Sequence, residues 1–332
     1  MKKLVRLKPV KEFFFGGDLT FGDIKEYNYI AKSTLFPQQT AILGMLRKNL
    51  LKQNGLLTAK IKIESVDDRA KAKELVGSGK FEFKKEEQNF GVIKKISSLF
   101  LINKKNRFIK KSGIEYDEEK NRFNEYKIKK DNIGYFLEKD SGVFNGKNDI
   151  FSNFVNIDTK EFKTQKDIFT QIEQIGIKKD SEEKGFFKKY SYMLNDDFEF
   201  AFYVEFEDAN FRFENDFIEL GAERSVFEMK VEDTMDWLEY EDENIVLLSP
   251  SFIDGNIREL TGFAITQDVN FRFIEYRRFK KENRFKKSKL YKLYERGSVF
   301  VDYKPELLEK INEYKNLQKI GLNITSKEKK WE

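Results

Sequence analysis

The sequence predicts an α+β protein in which strands outnumber helices. Apolar residues alternate with period two in several segments, most clearly in FEFAFYVEFED at 198–208. One strongly helical segment, FPQQTAILGMLRKNLLKQNG at 36–55, lies near the start of the chain. Strands mixed with a few helices occur in both halves, which favours two packed ferredoxin-like domains, 1–160 and 161–332, with long hairpin and loop insertions.

In the N-terminal half, residues 4–15 are predicted to form a strand, followed by an extended piece near 27–32. The helix over 36–55 begins near Pro37, whose missing N–H suits a first turn, and stops at Gly55. Its buried stripe is Leu43, Leu46 and Leu50. Strands are predicted over 56–66 and 81–102 around a short helix, and loops and hairpins over 103–150.

In the C-terminal half, helical patterns predict a helix over 165–175 and another over 305–318 that opens at Pro305. The apolar positions Phe198, Phe200, Phe202, Val204 and Phe206 share one face of a strand. Further strands are predicted over 224–233, 244–250, 297–303 and 320–325.

The composition excludes several kinds of active site. The chain of 332 residues carries a net charge of +5 and contains neither cysteine nor histidine. Disulfides, thiolate zinc sites, and Ser-His-Asp or Cys-His catalysis are therefore excluded within this chain. A carboxylate-held magnesium ion, or a Lys or Tyr base, remains open.

The basic start MKKLVRLKPVKEFFF has the opening of a signal peptide. Charged residues interrupt what would be its apolar segment, and no apolar run approaches the length of a membrane span. We therefore expect a cytoplasmic protein without a membrane partner.

The segment FFFGGDLTFG at 13–22 places three aromatic residues before a glycine pair. Phe13 and Phe15 would alternate with Phe14 across a strand, so that one face is core. Gly16 and Gly17 would let the chain turn and leave room for a ligand's backbone. The alternative is a tight turn and nothing more.

GSGK at 77–80 is not a phosphate loop. The motif needs a glycine where Glu74 stands, and a Ser or Thr where Phe81 stands. We interpret it as a plain turn between a helix and a strand, and no cofactor is expected.

The acidic stretch EMKVEDTMDWLEYEDE at 228–243 allows two interpretations. Glu232, Asp233 and Asp236 are oxygen ligands of the kind that magnesium takes. A run of charge is more often a solvated face or an interface to a basic partner, and we favour that interpretation.

The basic stretch RRFKKENRFKKSKLYK at 277–292 interleaves cations with Phe279, Phe285 and Tyr291. Cations follow a phosphate chain and aromatic rings stack on unpaired bases, so nucleic acid is favoured over a solubilising loop. Its first cations are Arg277, Arg278, Lys280 and Lys281. For the smaller patch KKNRFIKK at 104–111 both interpretations stay open.

Small polar residues stand where the predicted helix begins. Backbone N–H groups at a helix N-terminus attract phosphate, and the neighbouring side chains add donors. Ordinary helix capping is the alternative. The residues are Ser33, Thr34, Gln38, Gln39 and Thr40.

An ordered set of motifs resembles the RAMP-superfamily subunit of type III-B (Cmr) CRISPR effector complexes that caps the 5′ end of the guide RNA. The opening motifs are FFFGGDLTFG and NYIAKSTLFPQQTAILGMLRKNLL. The later ones, in order, are QIGIKKDSEEKGFFKKYSYML at 174–194, ELGAERSVFEM at 219–229, LLSPSF at 247–252, TGFAITQ at 261–267, ERGSVFV at 295–301 and QKIGLNI at 318–324.

The resemblance implies two RNA-recognition-type, ferredoxin-like domains that bind the guide's 5′ tag. It implies docking to the large polymerase-like subunit and to the first repeated backbone subunit, without catalysis. Ser33, Pro37, Thr40, Gly44 and Arg47 stand in the superfamily's strand-to-helix element. Gly221, Glu223 and Arg224 fill a glycine-acid-basic block, and Gly297, Ser298 and Gly321 fill late glycine turns.

These observations together predict an RNA-binding subunit with no catalytic residue and no metal. An RNA endonuclease with a Lys or Tyr base or a carboxylate-held metal is the alternative, and a protein-only scaffold is a third hypothesis. The predicted RNA-binding residues are Gly16, Gly17, Lys32, Ser33, Thr34, Gln38, Gln39, Thr40, Arg47, Gly221, Arg224, Arg277, Arg278, Lys280, Lys281, Gly297 and Ser298.

Overall fold

The computed structural model describes most of the chain. The described residues are 1–16, 19–20, 29–58, 62–63, 65–79, 81–84, 87–139, 142–144, 146–179, 184–195, 197–207, 210–221, 223–279 and 282–327. For residues 19–20, 29, 177–179, 184–186, 275–279 and 282–286 the backbone alone is described.

Among the described residues up to 163, the elements are two helices and thirteen strands. The helices are α1 (Gln39–Gln53) and α2 (Val66–Val76). The strands are β1 (Lys2–Pro9), β2 (Leu19–Thr20), β3 (Tyr29–Lys32), β4 (Ile93–Ile96), β5 (Phe100–Asn103), β6 (Asn106–Lys110), β7 (Ile114–Asp117), β8 (Arg122–Glu125), β9 (Lys127–Lys130), β10 (Tyr135–Lys139), β11 (Gly142–Val143), β12 (Phe154–Asn156) and β13 (Phe162–Lys163).

The remaining described elements are mostly strands. The helices are α3 (Gln165–Ile168), α4 (Pro305–Asn312) and α5 (Lys315–Lys319), with a 3-10 turn at Ile257–Glu259. The strands are β14 (Phe169–Lys179), β15 (Lys184–Leu194), β16 (Phe198–Phe206), β17 (Asp216–Leu220), β18 (Ser225–Asp233), β19 (Ile245–Val246), β20 (Thr261–Ile265), β21 (Asp268–Phe271), β22 (Ile274–Phe279), β23 (Glu282–Lys287), β24 (Tyr291–Tyr294) and β25 (Val299–Tyr303).

The predicted α+β class is confirmed, with mostly antiparallel sheets and few helices. The largest sheet has the order β13-β12-β6-β5-β16-β1-β18-β17, and β4 also pairs with β16. The N-terminal strand β1 lies between two strands from the second half, so that Val5 is opposite both Phe202 and Val231. A second sheet has the order β14-β15-β3-β2, in which β15 and β3 run parallel.

The predicted face of β16 is confirmed, and its other face is also buried. Phe200 and Phe202 contribute to one core cluster together with Leu43, Leu46 and Leu50 of α1. Ala201 and Tyr203 point to the opposite side and pack in a second cluster with residues that include Leu238, Tyr240 and Val246. The central sheet is therefore covered on both faces around β16, and side chains of the acidic stretch form part of that cover.

An aromatic group around Phe200 fixes the segment that follows β1. The ring centroids of Phe13, Phe36 and Phe15 lie 5.4, 5.6 and 5.7 Å from that of Phe200. Phe13 and Phe15 therefore face the same core, as the alternation predicted. The strand itself ends at Pro9, earlier than predicted, and Phe13 makes only an isolated bridge to Tyr192.

Several element predictions need correction. The helix over 36–55 is confirmed as α1, and Gly55 follows its end with φ of +71°. The helix over 165–175 is wrong beyond Ile168, because residues from Phe169 pair with β15 in a long hairpin. The described part of 56–66 contains no strand. The strand predicted over 81–102 is limited to β4 and the start of β5, and the strand predicted over 244–250 is limited to β19. Of the strand predicted over 320–325, only a bridge between Thr325 and Leu247 is present.

No helix within the described ranges is both long enough and apolar enough to cross a membrane.

Replacing Phe200 by Ala tests the aromatic group. Phe200 is fully buried, so the Phe200→Ala variant should lose about 3–5 kcal/mol of unfolding free energy in urea denaturation followed by circular dichroism. Phe217→Ala is the matched control, because Phe217 is 63% exposed. The control should change the free energy by less than about 0.5 kcal/mol. Equal losses in the two variants would contradict this core.

Candidate nucleic-acid interface

A cleft of about 260 Å³ lies at the N-terminus of α1. Its walls come from eight separate segments of the chain, which the fold brings together. The lining residues are 32–39, Lys110, Gln165, Tyr192, Pro250, 269–271, Glu295, Arg296 and Leu322. Of the seventeen predicted RNA-binding residues, Lys32, Ser33, Thr34, Gln38 and Gln39 line this cleft.

Backbone hydrogen bonds hold residues 32–34 in the cleft wall. The Ser33 N–H donates to the Tyr190 carbonyl at 2.9 Å, and the Thr34 N–H donates to the Gly16 carbonyl at 2.9 Å. Ser33 is buried, and its hydroxyl accepts a hydrogen bond from the Phe15 N–H at 2.9 Å. Ser33 thus supports the wall, while Lys32 and Thr34 are exposed.

The N-terminus of α1 opens without a side-chain cap. Gln38 is the N-cap residue, with ψ of 144°, and its side chain makes no capping hydrogen bond. Its carbonyl accepts from the N–H groups of Ala41 and Ile42. The first turn contains no acidic residue. The positive end of the helix dipole is therefore not neutralised by this helix and favours an anion at the cleft.

Of two cations that line the cleft, Arg296 is buried and Lys110 is half-buried. Arg296 is 5% exposed, and its guanidinium carbon lies 3.9 Å from the centre of the Phe36 ring. Its Nη1 donates to the Leu99 carbonyl at 3.1 Å, and its Nε lies 3.5 Å from the Glu295 carboxylate. Burial lowers the pKa of Arg296 to about 10 and lowers the pKa of Lys110 as well. An anion in the cleft would stabilise the charged form of both groups.

Gly297 and Ser298 form the turn that carries Arg296. The Gly297 N–H donates to the Leu247 carbonyl at 2.7 Å, and its carbonyl accepts from the Ser112 N–H at 2.9 Å. The Ser298 hydroxyl donates to the Glu295 carbonyl at 2.7 Å. These predicted residues therefore border the cleft and position Arg296.

Gln39 fastens the start of α1 to the interior. Its Nε2 donates to the Ser97 carbonyl at 3.0 Å and to the Gly321 carbonyl at 2.9 Å. Gly321 has φ of +86°, and a Cβ there would lie 2.2 Å from the Ser97 carbonyl oxygen. Glycine is therefore required beside Gln39. Thr40, the next residue of α1, is half-buried.

Four other predicted residues do not line the cleft. Gly221 packs on the Phe14 carbonyl, and Gly16 accepts from Thr34, so both support the wall indirectly. Arg224 is exposed and does not line the cleft. Arg47 lies further along α1 over the Phe90 ring, and burial lowers its pKa to about 10.

The large basic stretch falls mostly outside the described side chains. Gly17, Lys280 and Lys281 lie outside the described residues. Arg277 and Arg278 lie on β22, whose backbone pairs with β23 in a hairpin. In the smaller basic patch, Lys110 lines the cleft, whereas Arg107 and Lys111 pair with carboxylates.

The acidic residues proposed as metal ligands do not converge. Glu232 and Asp233 are neighbours on β18 and point to opposite faces of the sheet. Glu232 lies 3.4 Å from Arg6, and Asp233 lies 2.7 Å from Lys3. Across the described part of the chain, no three carboxylates lie close enough to hold a metal ion.

The Asp242 carboxylate near the end of this stretch is buried in an ion pair with Lys111 at 2.7 Å. Burial alone would raise the pKa of Asp242, but its hydrogen bond to Lys111 lowers it overall. This end of the acidic stretch therefore contributes an ion pair to the fold and is not a solvated face.

Sequence reasoning missed Arg296, Gln165, Tyr192 and Asn270 as cleft residues, and it included Lys110 only within the basic patch at 104–111, whose interpretation stayed open. The arginine stands directly before Gly297 in ERGSV, which was the one local signal. The others approach through tertiary contacts that no motif encodes.

Replacing Gly297 by Ala should disturb the turn that holds Arg296. Gly297 has φ of +82°, and a Cβ would lie 3.0 Å from the Lys110 carbonyl oxygen. We expect a lower Tm in differential scanning calorimetry. Gly79→Ala is the control, because Gly79 is exposed, has no left-handed φ and has no atom within 4 Å of an added Cβ. A Tm unchanged by Gly297→Ala would contradict the close packing of this turn.

Comparisons with known proteins agree with the resemblance. Residues 5–111 match the sequence model of a family described as CRISPR-associated protein (Cas_Cmr3). No curated protein matches this sequence.

Two solved structures align over nearly the whole chain. One is a chain of the type III-B Cmr-beta complex bound to cognate target RNA, with a TM-score of 0.54 and 13% identity over 98% of this chain and 96% of that chain. The other is a chain of the same complex bound to cognate target RNA and AMPPnP, with a TM-score of 0.49, 14% identity and the same coverage. The first shares the fold. The resemblance predicted from the motifs is thereby confirmed: the chain is similar to a subunit of the type III-B (Cmr) CRISPR complexes.

Proposed function

We propose that this protein is the RNA-binding subunit of a type III-B CRISPR antiviral complex that holds the 5′ tag of the guide RNA in the cleft at α1. The match of residues 5–111 to the Cas_Cmr3 family supports membership of such a complex. The cleft offers hydrogen-bond donors and positive charge to the phosphates of an RNA chain.

One observation carries this proposal. The uncapped N-terminus of α1, the buried Arg296 and the half-buried Lys110 line one cleft, together with the exposed Lys32. Backbone N–H groups, a guanidinium and ammonium groups are the donors that bind RNA phosphates. Tyr192 and Phe36 add ring surface to the same walls.

The proposal includes the partners and the domain organisation that the resemblance implies. The protein docks to the large polymerase-like subunit and to the first backbone subunit. The central sheet joins its two ferredoxin-like domains, 1–160 and 161–332. In that sheet β1 of the first domain pairs with β16 of the second.

The protein binds RNA without cleaving it. The carboxylates that would hold a metal are separated on β18 and paired with Arg6 and Lys3, which supports this part of the proposal. The histidine-free composition removes the commonest general base.

Replacing Lys32 by Ala should weaken RNA binding through lost charge. Lys32 is exposed at the mouth of the cleft, so its removal should reduce the slope of log affinity against log salt by about 0.7. Fluorescence anisotropy with a single-stranded RNA carrying the tag measures this slope. Lys129→Ala is the control, because it removes an equal charge from an exposed position on β9, outside the cleft. Identical slopes for the two variants would remove Lys32 from the site.

Guide precursor RNA should remain intact when it is incubated with the full chain and magnesium. Gel electrophoresis with and without magnesium measures cleavage. The Glu232→Ala/Asp233→Ala/Asp236→Ala variant should behave like the wild type. Cleavage by the wild type that disappears in this variant would establish the endonuclease instead.

A further inference from the structure

A polar and aromatic sheet face leads out of the cleft. We call it the hairpin face. It consists of one side of β3, β14 and β15, and its residues are Lys32, Gln171, Glu173, Ile175, Lys188 and Tyr190. We propose that this face binds the single-stranded RNA that continues from the cleft, with one unpaired base stacked on Tyr190. The inference rests on the proposed function and extends it to a second contact surface.

The strand register makes the hairpin face continuous with the cleft. Tyr190 and Tyr192 are two residues apart on β15, so they point to the same side of the sheet. Tyr192 lines the cleft, and Lys32 both lines the cleft and lies opposite Tyr190 in the parallel pair. An RNA strand can therefore leave the cleft past Lys32 and reach the Tyr190 ring within one strand repeat, about 7 Å.

The size of the cleft requires such an exit. Its volume of about 260 Å³ is smaller than a typical pocket for a drug-sized ligand. A cleft of this size does not enclose a run of several nucleotides. The following nucleotides must lie outside the cleft, and the hairpin face adjoins it.

The chemistry of the hairpin face suits RNA. Tyr190 is half-buried, which leaves ring surface for stacking, and Ile175 is 62% exposed beside it. The carboxylate of Glu173 is paired with Lys188 at 3.0 Å, so it does not present an uncompensated negative charge to phosphate. Lys32 makes no ion pair with any residue that the structure describes, and its charge remains available. Aromatic rings interleaved with cations form the usual platform for unpaired bases.

Tyr190→Ala tests the proposal in the full-length protein. The probe is a single-stranded RNA of about twelve nucleotides carrying the tag, measured by fluorescence anisotropy at several salt concentrations. Loss of a stacking partner should weaken affinity about tenfold. It should leave the salt slope unchanged, because no charge is removed. Tyr190→Phe keeps the ring and should restore wild-type affinity.

An RNA of the same length with abasic sites in place of its bases identifies stacking. Wild type and Tyr190→Ala should bind this RNA equally, because no base remains to stack. A loss that persists on the abasic RNA would show that Tyr190 acts through the phosphate chain or through the fold, and would overturn the stacking assignment.

Met193→Ala is the matched control on β15. Met193 is 42% exposed and points to the opposite side of the same strand, so its replacement should leave both affinities unchanged. Unchanged binding of the normal RNA by Tyr190→Ala would overturn the inference and leave this face to a protein partner. Failure of the wild type to bind either RNA would instead overturn the proposed function, and the inference with it.

Discussion

The insertion of β1 between β16 and β18 is the constraint on which the rest of the structure depends. Lys2–Pro9 forms antiparallel ladders on both of its edges with strands from the second half of the chain. This pairing brings Phe13 and Phe15 against Phe200, and it brings residues 13–16 beside Ser33 and Thr34. The wall of the cleft therefore depends on contacts between distant segments. Loss of the β1 pairing would remove the hydrogen bonds from residues 15–16 that hold Ser33 and Thr34 before the start of α1.

In the proposed function, the burial of Arg296 favours an anion in the cleft. A surface lysine is well solvated and gains little from one more partner, whereas the buried Arg296 and, to a lesser degree, the half-buried Lys110 have lost contact with water. The lowered pKa of each group records that loss. A phosphate group with access to both would recover it, and the uncapped start of α1 adds its dipole in the same direction. The stacking of Arg296 on Phe36 fixes the guanidinium, so little side-chain entropy remains to be lost on binding.

Local patterns in the sequence predicted the elements whose stability is local. Pro37, Gly55 and the leucine stripe located α1, and strict alternation located β16 with its buried face. The same patterns failed at 165–175, where Thr164 and Asp167 do start a helix. That helix stops because Ile172, Ile175 and Ile177 favour a strand and because β15 supplies the long-range partner.

The site was predictable in part for the same reason. Residues 32–39 could be identified because a helix start and its polar residues are adjacent in sequence. Arg296 could not be identified, and Lys110 belonged only to a basic patch whose interpretation stayed open. Both meet residues 32–39 only through the folded sheets, and a single sequence contains no record of such contacts. The second face of β16 was missed likewise, since its cover comes from Leu238 and Tyr240 in a stretch that its carboxylates had marked as a surface.

Photochemical cross-linking of the bound guide RNA, followed by mass spectrometry of the attached peptides, tests the central claim most directly. The account predicts cross-links within residues 32–39 and at the turn around Arg296, with the 5′ tag as the attached RNA. Abundant tag cross-links confined to other segments, with none at either of these two, would contradict it.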